Sequence, residues 1–154
     1  MGNTVRELKN ERDKDKREVV KRILSSYGKS LNHIASLEEE IFKKNDSING
    51  IRSGLGNTDP SKGGGCCQED TIINVLDEVK DLEEEIADIK AEIESVRKAI
   101  RSIDDPRNKA IVMRVWVYRS DSMRALANEY GISKDKVWRR SDVTLNGLYK
   151  KLTK

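Results

Sequence analysis

Residues 72–103 read IINVLDEVKDLEEEIADIKAEIESVRKAIRSI, and apolar side chains return there at 72, 75, 79, 82, 86, 89, 93, 96, 100 and 103. The steps alternate between three and four without a break, which is the heptad repeat of a coiled coil. Its a positions are Ile72, Val79, Ile86, Ile93 and Ile100, and its d positions are Val75, Leu82, Ile89, Val96 and Ile103. At the rise of an α-helix the predicted element is about 50 Å long. Thr71 or Asp70 is placed to cap its start. Asp104-Asp105-Pro106 is placed to end it, because the residue before a proline is pushed out of helical geometry. Such a stripe does not stay in water alone, so residues 69–105 need a partner helix.

The first 44 residues supply one. Val20, Leu24, Tyr27, Leu31, Ile34 and Ile41 mark an amphipathic helix from about residue 14 to 44, with Glu38 interrupting the seam. Residues 45–68 then carry Asn49-Gly50, Ser53-Gly54, Asp59-Pro60 and Gly63-Gly64-Gly65, the signals of a flexible connector. Two amphipathic helices joined in this way most simply fold back as an antiparallel hairpin. The expected class is all-α: a long hairpin or coiled coil followed by a small helical domain over 106–154. Ile72, Val79, Leu82, Ile86, Ile89, Ile93, Val96 and Ile100 are also the candidate oligomerisation residues, because a short upstream stripe leaves part of the seam for another subunit.

Composition narrows the function. Of 154 residues 36% are hydrophobic and 37% charged, so a single large core is not expected, and two prolines leave long helices unbroken. No apolar run reaches the roughly 18–20 residues of a membrane span. No signal-peptide h-region is read in the sequence, and Arg6 stands where a myristoylation signal needs Ser or Thr. A cytoplasmic protein without membrane contact is expected. Adjacent Cys66-Cys67 read as loop thiols, since two thiolates without histidine partners complete no zinc site. Gly28-Lys29-Ser30 resembles the end of a phosphate-binding loop, but Ile23 occupies the earlier glycine position and no strand precedes it. No nucleophile–base set can be assembled, so neither an enzyme nor a cofactor is expected.

Charge divides the chain. Residues 69–105 carry a net charge of −8, residues 106–154 a net charge of +8, and residues 1–68 a net charge of +3. Five of the seven aromatic residues (Trp116, Tyr118, Tyr130, Trp138 and Tyr149) lie in the basic segment, which places a compact core there. Pro106 opens a helix whose apolar face is Ala110, Ile111, Val115 and Tyr118. Ser120-Asp121-Ser122 offers caps for a short helix, Met123 to Tyr130, which Gly131 ends. Ser133 caps a third helix running through Lys150. A tight turn between two short helices, with Ala127 small enough for them to cross closely, is a helix-turn-helix.

At 100° per residue, Val137, Ser141, Thr144, Leu145 and Leu148 of the third helix face the core. Asp135, Lys136, Arg139 and Val143 lie opposite, flanked by Lys134, Trp138 and Arg140. A basic outward face near the N-terminus is what a recognition helix presents to a major groove. The candidate DNA-binding residues are Ser133, Lys134, Asp135, Lys136, Trp138, Arg139 and Arg140, with Arg119 and Arg124 outside that helix. Lys109, Lys150 and Lys151 are further candidates for phosphate.

The stretch Ser122-Met123-Arg124-Ala125-Leu126-Ala127-Asn128-Glu129-Tyr130-Gly131-Ile132-Ser133-Lys134-Asp135-Lys136-Val137, followed by Thr144-Leu145 and Leu148, resembles the helix-turn-helix of sigma-70 region 4. Over residues 60–152 the order of segments is similar to the ArpU/RinA-type late-transcription regulators of phages of Gram-positive bacteria. That order is a glycine-rich loop, a long acidic helix, Asp-Pro, an Arg/Trp/Tyr-rich helix and a sigma-like motif. The chain departs from region 4 at Arg140, where an aliphatic residue is usual, and at Thr144, where alanine is commoner. The resemblance implies double-stranded DNA as partner, activation of late or packaging genes in a bacterial host cell, and no cofactor. It leaves a contact with host RNA polymerase open. A small-terminase-like packaging protein, which also joins a helix-turn-helix to helical oligomerisation segments, is the alternative.

Overall fold

The structure, a computed structural model, describes residues 2–54 and 65–153, with side chains from 12–52 and 68–153. Every regular element among them is helical. Helix α1 spans Gly2–Gly54 and α2 spans Gly65–Arg101. Helix α3 (Pro106–Ile111) runs without a break into a π-helical turn, Val112–Val117. Helices α4 (Met123–Tyr130) and α5 (Lys134–Leu152) complete the chain. The fold is an all-α hairpin of two long helices with a small helical domain. No described helix is long and apolar enough to cross a membrane.

Helix α1 exceeds its expected bounds at both ends, and α2 begins before its expected start. The connector placed at 45–68 is helical at both ends, since α1 continues to Gly54 and α2 already begins at Gly65. The reason on the α1 side is burial. Ile48 is 4% exposed, and its packing outweighs the roughly 1 kcal/mol that Gly50 takes from a helix. Thr71 and Asp70 therefore lie inside α2 and do not cap it. At the other end Arg101 is the last helical residue, so Ile103 of the predicted seam lies beyond the helix. Residues 55–64 and the side chains of Cys66 and Cys67 lie outside the described residues.

The chain divides into two compact units: residues 31–92, and residues 1–30 together with 93–154. Neither boundary falls where the charge changes sign.

In the 31–92 unit the two helices pair antiparallel. His33 meets Glu85 at 3.2 Å and Lys44 meets Glu78 at 2.6 Å, so rising numbers on α1 match falling numbers on α2. Glu78 also holds the Lys44 ammonium above its ordinary pKa, chiefly through their hydrogen bond. Ile34, Leu37 and Ile48 of α1 are buried, as are Val79 and Ile86 of α2. Leu37 was missing from the predicted stripe. It repairs the break at Glu38 by closing up one step: the sequence 31, 34, 37, 41 contains two consecutive steps of three, a local overwinding of the heptad.

In the other unit the first part of α1 and the end of α2 join the C-terminal helices. Val20, Leu24, Ala99 and Ile100 are buried there together with Ile111, Val112, Val117, Leu126, Val137, Leu145 and Leu148. The π-helical turn changes which residues of the third segment face inward. Its i to i+5 bonding, with Tyr118 N–H donating to Met113 O at 2.9 Å, places Val112 and Val117 on one face. Tyr118, expected on the apolar face from a regular α-helical period, is turned out and 50% exposed.

Candidate nucleic-acid interface

Local rules build the helix-turn-helix. Ser122 Oγ accepts from Ala125 N–H at 3.1 Å and caps α4, and Ser133 Oγ accepts from Lys136 N–H at 3.3 Å and caps α5. Gly131 ends α4 at φ +66°, a left-handed conformation that costs glycine nothing. Its N–H donates to Ala127 O, and so does that of Ile132, at 3.1 Å. Ile132 then packs on the cluster of Ile111, Met123, Leu126, Ala127 and Val137, which fixes the angle between α4 and α5.

Helix α5 separates its faces as its sequence requires. Val137, Ser141, Thr144, Leu145 and Leu148 are buried. Ser133, Lys134, Asp135, Lys136 and Arg139 are exposed together at its N-terminal end, and Arg124 is exposed on α4. Arg140 and Trp138 each have a second role. Arg140 is half-buried and bonds Asp105 Oδ2 at 3.1 Å. Trp138, 38% exposed, sets its ring edge-on to Trp116 with centroids 6.2 Å apart. Arg119 is exposed at φ +53°, rare for a residue with a side chain. Of the further cations, Lys151 turns towards the end of α2, where its Nζ donates to Ser102 O at 3.5 Å. The candidate oligomerisation residues Val79, Ile86 and Ile100 are buried within the chain, and the other five are half-buried.

Arg140 ties α5 to the start of α3. Asp105 accepts from the Arg107 N–H at 2.8 Å and caps α3, while Arg140 reaches it from α5. The Arg107 backbone N–H is the largest cause of the lowered pKa of this carboxyl, with Asn108 N–H and Arg140 adding to it. A carboxyl lowered in the folded state stabilises fully above its ordinary value of about 3.9, and that contribution is lost as pH falls through the folded value. Asparagine caps as well as aspartate but carries no charge. The melting-temperature gap between wild type and Asp105→Asn should therefore be widest near neutrality and should close on acidification below about pH 4. Calorimetry across that range checks it, and a gap independent of pH would remove the charge from the account.

Two sets of residues escaped the sequence analysis. Arg114 in the π-helical turn bonds Asp121 and Glu129, each at 2.7 Å, and clamps both ends of α4. Glu129 first, then Asp121, holds its guanidinium further above the ordinary arginine value. Separations of seven and fifteen residues across a turn follow no periodicity, so no signal pointed to the clamp. The second set lies on α1. Lys21 Nζ sits 4.6 Å over the Trp116 ring, Arg17 pairs with Asp142 at 3.5 Å, and Lys16 Nζ lies 5.4 Å from the Tyr149 ring. The Trp116 indole N–H donates to the buried Ser141 Oγ at 2.9 Å, which fixes the ring that Lys21 approaches. The spacing of 16, 17 and 21 along one helix was a legible signal, but nothing local said which face it met.

Compared with protein-family models, with curated proteins and with solved structures, the chain matches none.

Proposed function

We propose that the chain is a DNA-binding transcription regulator of phage or prophage genes, an activator of late or packaging genes, which reads double-stranded DNA with α4 and α5 and oligomerises through its helical hairpin. One observation carries the reading. The α5 helix, capped by Ser133 behind a glycine turn, buries Val137, Ser141 and Leu145 while Lys134, Lys136 and Arg139 stand exposed at its N-terminal end. A bundle helix needs the buried face; it does not need cations gathered where a recognition helix meets base edges. The net charge of +8 over 106–154 supports the same partner.

Ile86 of the α2 seam is buried within the chain, so replacing it by lysine would break the hairpin and would not be a clean test of assembly. Support for assembly comes from the flanks instead. Phe42, Ile73 and Leu76 are large apolar side chains left exposed on the hairpin, at 71%, 54% and 46%.

Selection from a random DNA pool with the full-length protein tests the reading. Arg139→Ala is expected to weaken binding to the selected site by about 1–3 kcal/mol, the usual worth of a base contact, with unchanged circular dichroism. Equal affinity of the variant would remove Arg139 from the interface, and the absence of any enriched sequence would end the regulator reading. Native mass spectrometry of the same sample separates the alternatives: a dimer or tetramer fits a regulator, and a large ring fits a packaging protein.

A further inference from the structure

One face of α1 lies open beside the helix-turn-helix without belonging to it. Glu18, Lys21, Arg22, Ser25, Ser26 and Lys29 follow one another at helical spacing and line a groove of about 480 Å³. Trp116 and Arg119 complete it from the π-helical turn and the residues after it. The groove is strongly unbalanced in charge. Four cations face one carboxylate, and that carboxylate, Glu18, is already held by Lys21 at 3.1 Å. Arg22, Lys29 and Arg119 pair with no carboxylate among the described residues. Cations gathered without counter-charge repel one another until an anion joins them. The serine hydroxyls and the Lys and Arg hydrogens are all donors suited to phosphate oxygens.

The groove is also placed. Lys21 stacks on Trp116, Trp116 meets Trp138 edge to face, and Trp138 precedes Arg139 on the exposed end of α5. Two indoles therefore connect the cations of α1 to those of α5. Arg119 is fixed at the rim by its neighbours, since the Ser120 and Asp121 N–H groups both donate to Arg114 O, at 2.9 and 3.2 Å. From Arg22 to Lys29 the cations cover about 11 Å of helix axis. That length exceeds the charge spacing of a DNA strand, about 3.4 Å, several times over and suits a run of phosphates better than a single anion.

We propose that the α1 groove is a second DNA contact, which holds the phosphate backbone flanking the site read by α5. The inference rests on the reading of α5 as a recognition helix. It adds to that reading a contact that carries affinity without sequence preference, since phosphates are the same at every site.

The test uses the full-length chain with Arg22→Gln, Lys29→Gln and Arg119→Asn combined. Asparagine is chosen at 119 because it tolerates left-handed geometry. Lys21 is kept, so the tryptophan near-ultraviolet circular dichroism should stay as in wild type. Binding is followed by fluorescence anisotropy on a mixed-sequence duplex and on the duplex selected by the wild type, each across a salt series. The triple variant is expected to bind both duplexes at least tenfold more weakly, with the ratio between them unchanged. Its plot of log affinity against log salt should be shallower by about 0.9 for each phosphate released, a total near two to three. Lys29→Gln alone should give about one such step, which keeps the test open if the triple variant fails to fold. If the wild type binds DNA and the variants match it in affinity and slope, the groove is no DNA contact and the inference falls. A loss confined to the selected duplex overturns the inference too, because that is base reading. A wild type that binds neither duplex ends the reading of α5 itself.

Discussion

Gly28→Ala should destabilise the protein by about 3 kcal/mol, although the same change in an open stretch of helix stabilises. A Cβ built on Gly28 meets the Val117 carbonyl oxygen at 2.1 Å and its carbon at 2.9 Å. Both are backbone atoms of the π-helical turn, so neither can swing aside as the end of a side chain does. Helix α1 must back away, and Val20 and Leu24, fully buried on the same helix, lose their packing. Complete burial of such side chains is worth about 1.5–3 kcal/mol each, far above the roughly 1 kcal/mol that alanine returns in helix propensity. Gly147→Ala is the internal control. Nothing lies within 4 Å of its added Cβ in α5, so it should gain up to about 1 kcal/mol. Urea unfolding of both variants gives the comparison; a Gly28→Ala protein as stable as wild type would mean that α1 does not approach Val117 this closely. The pattern Gly28-Lys29-Ser30 is thus a point of close packing.

Leu126→Ala should cost about 2–5 kcal/mol, the range for emptying a fully buried leucine site. Leu126 is 0% exposed at the centre of a cluster with Ile111, Met123, Ala127 and Val137. Three of the four neighbours are held by separate constraints: Ala127 by the Gly131 cap, Val137 by the Ser133 cap, Ile111 by the start of the π-helical turn. Relaxation into the cavity is therefore limited. In a domain of 60–100 residues each kcal/mol lowers the melting temperature by about 4–8 °C, so a fall beyond about 10 °C is expected. A loss under about 1 kcal/mol would show that the two helices close over the gap, contrary to the rigidity their caps imply.

Where a signal was local, it was readable in the residues. The bounds of α4, its Ser122 and Gly131 caps, the Ser133 cap and the five buried positions of α5 all follow from chemistry within four residues of where they act. The heptad of α2 announced the hairpin for the same reason, because a helical stripe is a pattern of near neighbours. Helix ends with weak signals went the other way: Asn49-Gly50 argues for a turn, and burial of Ile48 overrides it. The candidate interface divides along the same line. Exposure of Lys136 and Arg139 was predictable from helical phase. The pairing of Arg140 with Asp105 was not, nor was the arrival of Lys21 and Arg22 beside Trp116, because these contacts join residues between 35 and 95 positions apart. By itself the sequence determined that the chain is helical, where the helix-turn-helix begins and ends, and which face of α5 is basic. Only the tertiary structure decided that α1 docks on the π-helical turn, with Gly28 against Val117 and a row of cations beside Trp116. Helical periodicity says which side of a helix must be buried, but the partner that buries it is chosen by long-range packing, for which neighbouring residues carry no record.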